Sequence, residues 1–228
     1  IWTFRQVFLQ GLGNTALTAF VGLLLALVIG IISGLFATGN SRILRAISRV
    51  YVELIQNTPL LLQMCFLYYS LAFAGMSLGI IRAGIIALGI YHGAYVSEVI
   101  RAGIQAIPKG QFEAADAQGF GYIQKMYFII LPQSIKIILP PMVNQVVNLI
   151  KNTSCLYIIG GSDLISATYS FVTGESTGGA YAPAYLVSGL LFFLVCCPLS
   201  SLASMWEISL KKRDVRTAKD LQNTERMA

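Results

Sequence analysis

The sequence predicts an all-α integral membrane protein: five transmembrane helices, with one ordered polar segment held on the cytoplasmic side. Three observations carry that expectation. Of the 228 residues 56% are hydrophobic and 11% charged, with a mean hydropathy of +0.69, and so few charges do not cover a soluble globule of this size. Apolar stretches of the roughly 20 residues needed to cross a hydrocarbon layer of about 30 Å fall at about 14–37, 51–75, 80–104, 139–160 and 184–209. The basic residues flank these stretches instead of forming a patch interleaved with aromatics, which speaks for membrane topology and against nucleic acid.

Taken in order, the first stretch is followed by Arg42, Arg45 and Arg49, the third by Arg101, Lys109 and Lys125, and the fifth by Lys211, Lys212, Arg213, Arg216, Lys219 and Arg226. With five crossings all of these lie on one side, which the positive-inside rule makes cytoplasmic. The N-terminus then faces out and the C-terminus in. The loop 161–183 on the other side has no Lys or Arg, only Asp163 and Glu175. No cleavable signal peptide is expected, and the Gly174–Gly179 cluster reads as a flexible outer loop. Residues 1–212 read as one transmembrane domain and 213–228 as a polar cytoplasmic tail that frays.

In the second stretch, Asn57-Thr58-Pro59 is expected either to cap and bend the inner end or to act as a gate, and Gln63 lies at pathway depth. The third carries Tyr95, and Glu98 with Arg101 three residues on, a spacing that gives a local ion pair or a gate. His92, the one histidine, has no acidic residue within a turn and reads as packed or pore-lining, not as a proton relay. The segment 126–138, short, broken by Pro132 and carrying Lys136, is expected to lie at the interface before the chain turns upward at Pro140-Pro141. Lys151 is then twelfth in the fourth span, close to the bilayer midplane, where a charge is costly and by default functional. Asn144, Asn148 and Lys151 form one helical stripe, with Asn152 and Thr153 beside it. Lys151 is placed either to hold a substrate carboxylate, the amides adding hydrogen bonds, or to pair with Glu98 or Glu53 between spans. Cys65, Cys155, Cys196 and Cys197 lie in apolar runs without CxxC spacing, so neither disulfide nor metal is expected.

The most informative stretch is polar. Glu113-Ala114-Ala115-Asp116-Ala117-Gln118-Gly119, within a segment of about 109–125, separates two apolar regions by far more than the roughly 2–8 residues of an ordinary helix connection. Alanines 114, 115 and 117 make a smooth, closely approachable face, and Gly119 with Gly121 permits a sharp turn. Ile129-Ile130-Leu131-Pro132 follows at a fixed distance. Here the chain resembles the permease subunits of ATP-binding-cassette importers, whose cytoplasmic signature is E-A-A, three residues, G, nine residues, I-x-L-P. It matches at Glu113, Ala114, Ala115, Gly119, Ile129, Leu131 and Pro132. The polar amino acid branch of that family is resembled further at Val52–Leu61, at Ser97–Ile104 running into Ile107–Gln111, and at Leu149–Ser154. One departure is Gln56-Asn57, where the family more often has arginine before Thr-Pro.

The resemblance implies a type I (MetI-like) permease fold in a bacterial plasma membrane, the inner membrane. It also implies two cytoplasmic ATPase subunits that grip the coupling segment, with Glu113 and Asp116 near the contact, Gly119 setting the bend and Leu131-Pro132 linking it to the pore. A second permease subunit, identical or homologous, and an extracytoplasmic solute-binding protein complete the assembly. ATP and Mg belong to the partners: no G-x-x-x-x-G-K-[ST] occurs in this chain, so it is expected to be a transport subunit without catalytic residues or cofactor. A lysine and several amides with no midplane carboxylate point to glutamine or glutamate, with a basic amino acid or cystine as the alternative. An ion-coupled secondary carrier would need intramembrane acids or inverted repeats and would leave the coupling motif unexplained.

Overall fold

In the computed structural model, residues 5–174 and 181–227 are described, with side chains up to residue 210. Among them there is no strand, and the elements are α1 (Arg5–Thr38), α2 (Arg42–Gln56), α3 (Leu60–Phe73), α4 (Ile80–Gln105), α5 (Lys109–Ala117), α6 (Tyr122–Lys125), α7 (Leu131–Asn152), α8 (Leu164–Thr173) and α9 (Tyr181–Met227). Residues 175–180, with Glu175 and most of the glycine cluster expected to form an outer loop, and the side chains of the basic tail lie outside the described residues. Four helical runs are long and apolar enough to cross a membrane, 5–38, 80–105, 122–159 and 181–210; α3 and α8 are shorter apolar helices. Large side chains such as Phe73, at 97% exposure, Phe66, Leu186 and Phe193 stand outward, as lipid or a partner requires and water does not favour.

The bundle is centred on α1 against α4, and the sequence permits their close approach. A Cβ built on Gly30 would lie 2.3 Å from Val96 Cγ1 and 2.9 Å from the Gly93 carbonyl, so glycine here lets two backbones meet without a side chain between them. A buried serine cluster ties α2 to the same pair: Ser97 Oγ donates to Ser33 Oγ at 2.9 Å and Ser48 Oγ to the Ser33 carbonyl at 2.8 Å. Beyond α7, a 3-10 turn (Thr153–Ile159) ends at left-handed Gly160. The buried Asp163 carboxylate then caps α8 by accepting from the Ile165 and Ser166 N–H groups.

Two sequence expectations are corrected. The stretch 51–75 is not one helix, because α2 ends at Gln56 and α3 begins at Leu60. Pro59 supplies no N–H to continue the helix and disfavours α geometry at Thr58. The freed carbonyls are taken up locally: Asn57 Nδ2 donates to Glu53 O at 2.7 Å and Thr58 Oγ1 to Leu54 O at 3.0 Å, while Gln63 Nε2 donates to Ile55 O at 2.9 Å. The segment 126–138 is likewise no separate interfacial helix. The chain stays helical from Tyr122 to Asn152, widening to a π turn at Met126–Ile130 just before Pro132, and Pro140-Pro141 sit inside α7. Pro140 is buried, and Ile138 packs into α4 against Gly103, where a Cβ would lie only 2.3 Å from Ile138 Cγ1. Packing against α4 thus holds the axis across the two missing hydrogen bonds.

Candidate functional site

At the level of Lys151, α4 and α7 leave a cleft of about 350 Å³ between them, lined by Tyr91, His92, Tyr95, Gln145, Asn148, Lys151 and Asn152. Its level along α4 is set by a hydrogen bond. Asn152 Nδ2 lies 3.1 Å from His92 Nε2, and His92 is the thirteenth of the 26 residues of α4, so Lys151 stands level with the middle of a spanning helix even though it lies near the end of α7. His92 is 2% exposed and its Nδ1 is buried without a hydrogen bond. Tyr91 and Tyr95, one turn apart, bring their hydroxyls within 3.0 Å and their rings to 5.1 Å, forming the aromatic wall. Lys151 faces this wall exposed, and among the described residues it takes part in no ion pair. Glu98 is held by Arg101, Nη2 to Oε2 at 2.6 Å, so the bridge from Lys151 to Glu98 does not form.

The cleft therefore gathers Tyr95, Asn148, Lys151 and Asn152 from the expected set and leaves three out. Gln63 braces the α2–α3 break, Thr153 is fully buried with its hydroxyl on Ile150 O at 2.8 Å, and Asn144 lies exposed one turn below. Tyr91 and Gln145 are the additions. Tyr91 precedes Tyr95 by four residues, a spacing that carries the signal in the sequence. Chemically the cleft offers one ammonium, three amides, two phenols and an imidazole, a set suited to a small polar solute with a carboxylate.

The second feature is the polar segment. Helix α5 ends in a Schellman motif: Phe120 N–H donates to Ala115 O and Gly119 N–H to Asp116 O, with Gly119 at φ +78°. Ala115, at 1% exposure, faces the bundle, while Glu113, Ala114 and Ala117 face outward; the outward face is narrower than three alanines suggest. Phe112 packs on a core of Ile104, Ile107, Met126, Ile130 and Ile138. Across the turn, Lys125 Nζ meets Asp116 Oδ1 at 2.5 Å and lies 6.0 Å from the Phe112 ring. Pro132 is exposed at the start of α7 and Leu131 is half-buried beside the core.

Residues 26–204 match the sequence profile described as "Binding-protein-dependent transport system inner membrane component". The chain belongs to that family. Within it, the probable glutamine ABC transporter permease proteins GlnM and GlnP of Bacillus subtilis (strain 168) are 37% and 36% identical over 207 and 195 residues, covering 91% and 85% of this chain and 94% and 89% of those proteins. Among solved structures, an amino acid ABC transporter crystallised with histidines superposes with a TM-score of 0.83 at 31% identity over 91% of this chain and 95% of that one. An inward-facing MetNI methionine transporter, at 18% identity and a TM-score of 0.71 over 88% and 96%, shares the fold. This binding-protein-dependent permease is thus a multi-pass inner membrane subunit of an amino acid importer. It is not an enzyme. ATP hydrolysis belongs to separate ATPase subunits, and permeases of this family work with a partner permease and a substrate-binding protein.

Proposed function

We propose that the cleft beside Lys151 is the substrate site of the pathway and that the importer carries glutamine or glutamate inward. The observation that carries this reading is a lysine without an ion pair among the described residues, level with the middle of α4 and facing three amides. An isolated ammonium there is costly, and a substrate α-carboxylate would remove that cost through a charge-assisted hydrogen bond. Asn148, Gln145 and Asn152 would then meet a side-chain amide or acid. The glutamine transporters among the relatives favour the same class, whereas the similar transporter crystallised with histidines supports a basic amino acid as the second reading.

In this reading the chain crosses five times, with α2 and α3 jointly forming the second crossing, the N-terminus outside, and α5 and the C-terminus in the cytoplasm. Two permease subunits enclose the path, and two ATPase subunits, carrying ATP and Mg, each hold one α5 through Glu113, Ala114 and Ala117. A solute-binding protein delivers the substrate to the outer face. Asn57-Thr58 and Glu98–Arg101 stay as candidate gating elements beside the path. The test is ATPase activity of the assembled complex in lipid, stimulated by glutamine, glutamate, arginine, histidine or cystine with the binding protein, in wild type and Lys151→Met. Stimulation by glutamine or glutamate that the substitution abolishes is expected. Stimulation by arginine or histidine alone, untouched by Lys151→Met, would overturn the site and the substrate class together.

A further inference from the structure

A larger cleft, of about 500 Å³, opens one step further along the same face of α4. Arg45, Arg49, Glu53 and Gln56 line it from α2, with Glu98 and Arg101 from α4. Its charges are unevenly satisfied. Arg101 is bonded to Glu98 and to Gln105 Oε1, the latter at 2.7 Å, and Arg45 Nη1 donates to Gly39 O at 2.6 Å. For the Arg49 guanidinium and the Glu53 carboxylate no ion pair or side-chain hydrogen bond is found among the described residues. They stand four apart on one stripe of α2 and yet do not pair with each other. The order matters: an acid ahead of a base at this spacing is the better arrangement, and even a good exposed pair of this kind contributes only about 0.2–0.5 kcal/mol. Base-then-acid leaves both charges available to a ligand that offers the two complements at once.

A free α-amino acid is such a ligand, because its carboxylate and ammonium lie on one carbon. We propose that this cleft is a second station on the transport path, taking the zwitterion by its backbone charges, with Arg49 on the α-carboxylate and Glu53 on the α-ammonium. The proposal rests on the reading that the Lys151 cleft is the upstream site. Continuity supports it. Tyr91, Tyr95, Glu98 and Gln105 fall on one face of α4, and from Tyr95 to Arg101 is six residues, about 9 Å at 1.5 Å per residue. Gln56 Nε2, donating to Ala94 O at 3.4 Å, is the polar link between the two clefts. A path needs sites that bind and release in succession, and the two unpaired charges of this one, Arg49 and Glu53, address only the groups on the α-carbon of the solute. Its occupant is therefore any zwitterionic α-amino acid, and a solute accumulating on the α5 side would occupy it and oppose further release.

The experiment uses the complete transporter in proteoliposomes, with binding protein outside and amino acid sealed in the lumen with ATP. Uptake is scored against the same variant's uptake into vesicles without luminal amino acid. Luminal glutamine and luminal arginine are expected to inhibit alike. Glutaramate, which lacks the α-ammonium, and 4-aminobutanamide, which lacks the α-carboxylate, are expected not to. Arg49→Gln and Glu53→Gln are each expected to weaken inhibition about tenfold, as loss of about 1.4 kcal/mol implies, while Arg49→Lys, which keeps the charge, retains most of it. Co-purification of the ATPase subunits reports that each variant is assembled. Inhibition unaltered by either glutamine substitution, or equally strong with glutaramate, or absent from wild type, would overturn the station. The readouts are separate: which amino acid enters empty vesicles tests the upstream reading, and the luminal response tests this one.

Discussion

Substituting Gly119 by Asn, Ala and Val gives a graded test of the proposal that α5 is held for an ATPase partner. The cost follows from two features of the turn. Gly119 is at φ +78°, and a Cβ built there meets nothing within 4 Å, so within this chain the penalty is one of backbone conformation and not of crowding. A Cβ in left-handed geometry costs roughly 1–2 kcal/mol, less for Asn and more for a β-branched residue. Because the hydrogen bonds Phe120 N–H to Ala115 O and Gly119 N–H to Asp116 O exist only in this geometry, that cost falls on this conformation of the α5 turn. A change of about 1.4 kcal/mol is a factor of ten. The assay is binding-protein-stimulated ATPase activity of the purified complex in lipid, with assembly followed by co-purification. Gly119→Asn is expected to lose least, Gly119→Ala about tenfold, and Gly119→Val more. Val equal to Ala would refute a backbone origin, and full activity in all three would mean that the turn does not set coupling.

Two further outcomes follow from the packing. Lys125→Met removes the brace across the coupling turn; the Asp116 side chain is 58% exposed, so the pair belongs with exposed bridges worth about 0.2–1 kcal/mol. Stimulated ATPase activity should fall no more than about fivefold, which a dose–response in the assembled complex checks, and a larger loss would show that Lys125 contacts the partner itself. Gly30→Ala forces a methyl to 2.3 Å from Val96 Cγ1 and should destabilise the α1–α4 contact by about 1–3 kcal/mol, as overpacking does. A lowered melting temperature, restored only in part by adding Val96→Ala because the Cβ of residue 96 still stands 2.5 Å and the Gly93 carbonyl 2.9 Å away, is the expected result.

The sequence by itself determined the class of protein and the helix-and-turn form of the segment proposed to couple it. Composition and the length of apolar runs are read residue by residue, and the signature from Glu113 to Pro132 is local, so its helix and its glycine turn are legible along the chain. The sequence places Lys151 twelfth in a span counted from Pro140, a start that the structure does not keep. The proline pair at 140–141 does not start a new helix; a hydrogen bond from Asn152 to His92, sixty residues away, sets Lys151 level with the middle of α4. What only the tertiary structure decided is which polar residues meet. Gln63, Asn144 and Thr153 have the right type and near-right spacing, yet one is spent on carbonyls freed at Pro59, one is a turn too low and one is buried against its own helix. Tyr91 and Gln145 complete the cleft because α4 and α7 cross where they do, and that crossing depends on glycine contacts such as Gly103 with Ile138. The physical reason is range. Helix period, turn chemistry and hydropathy act over a few residues and can be read along the chain, whereas a cleft exists only where two helices distant in sequence share a face, and its membership is set by interhelical packing.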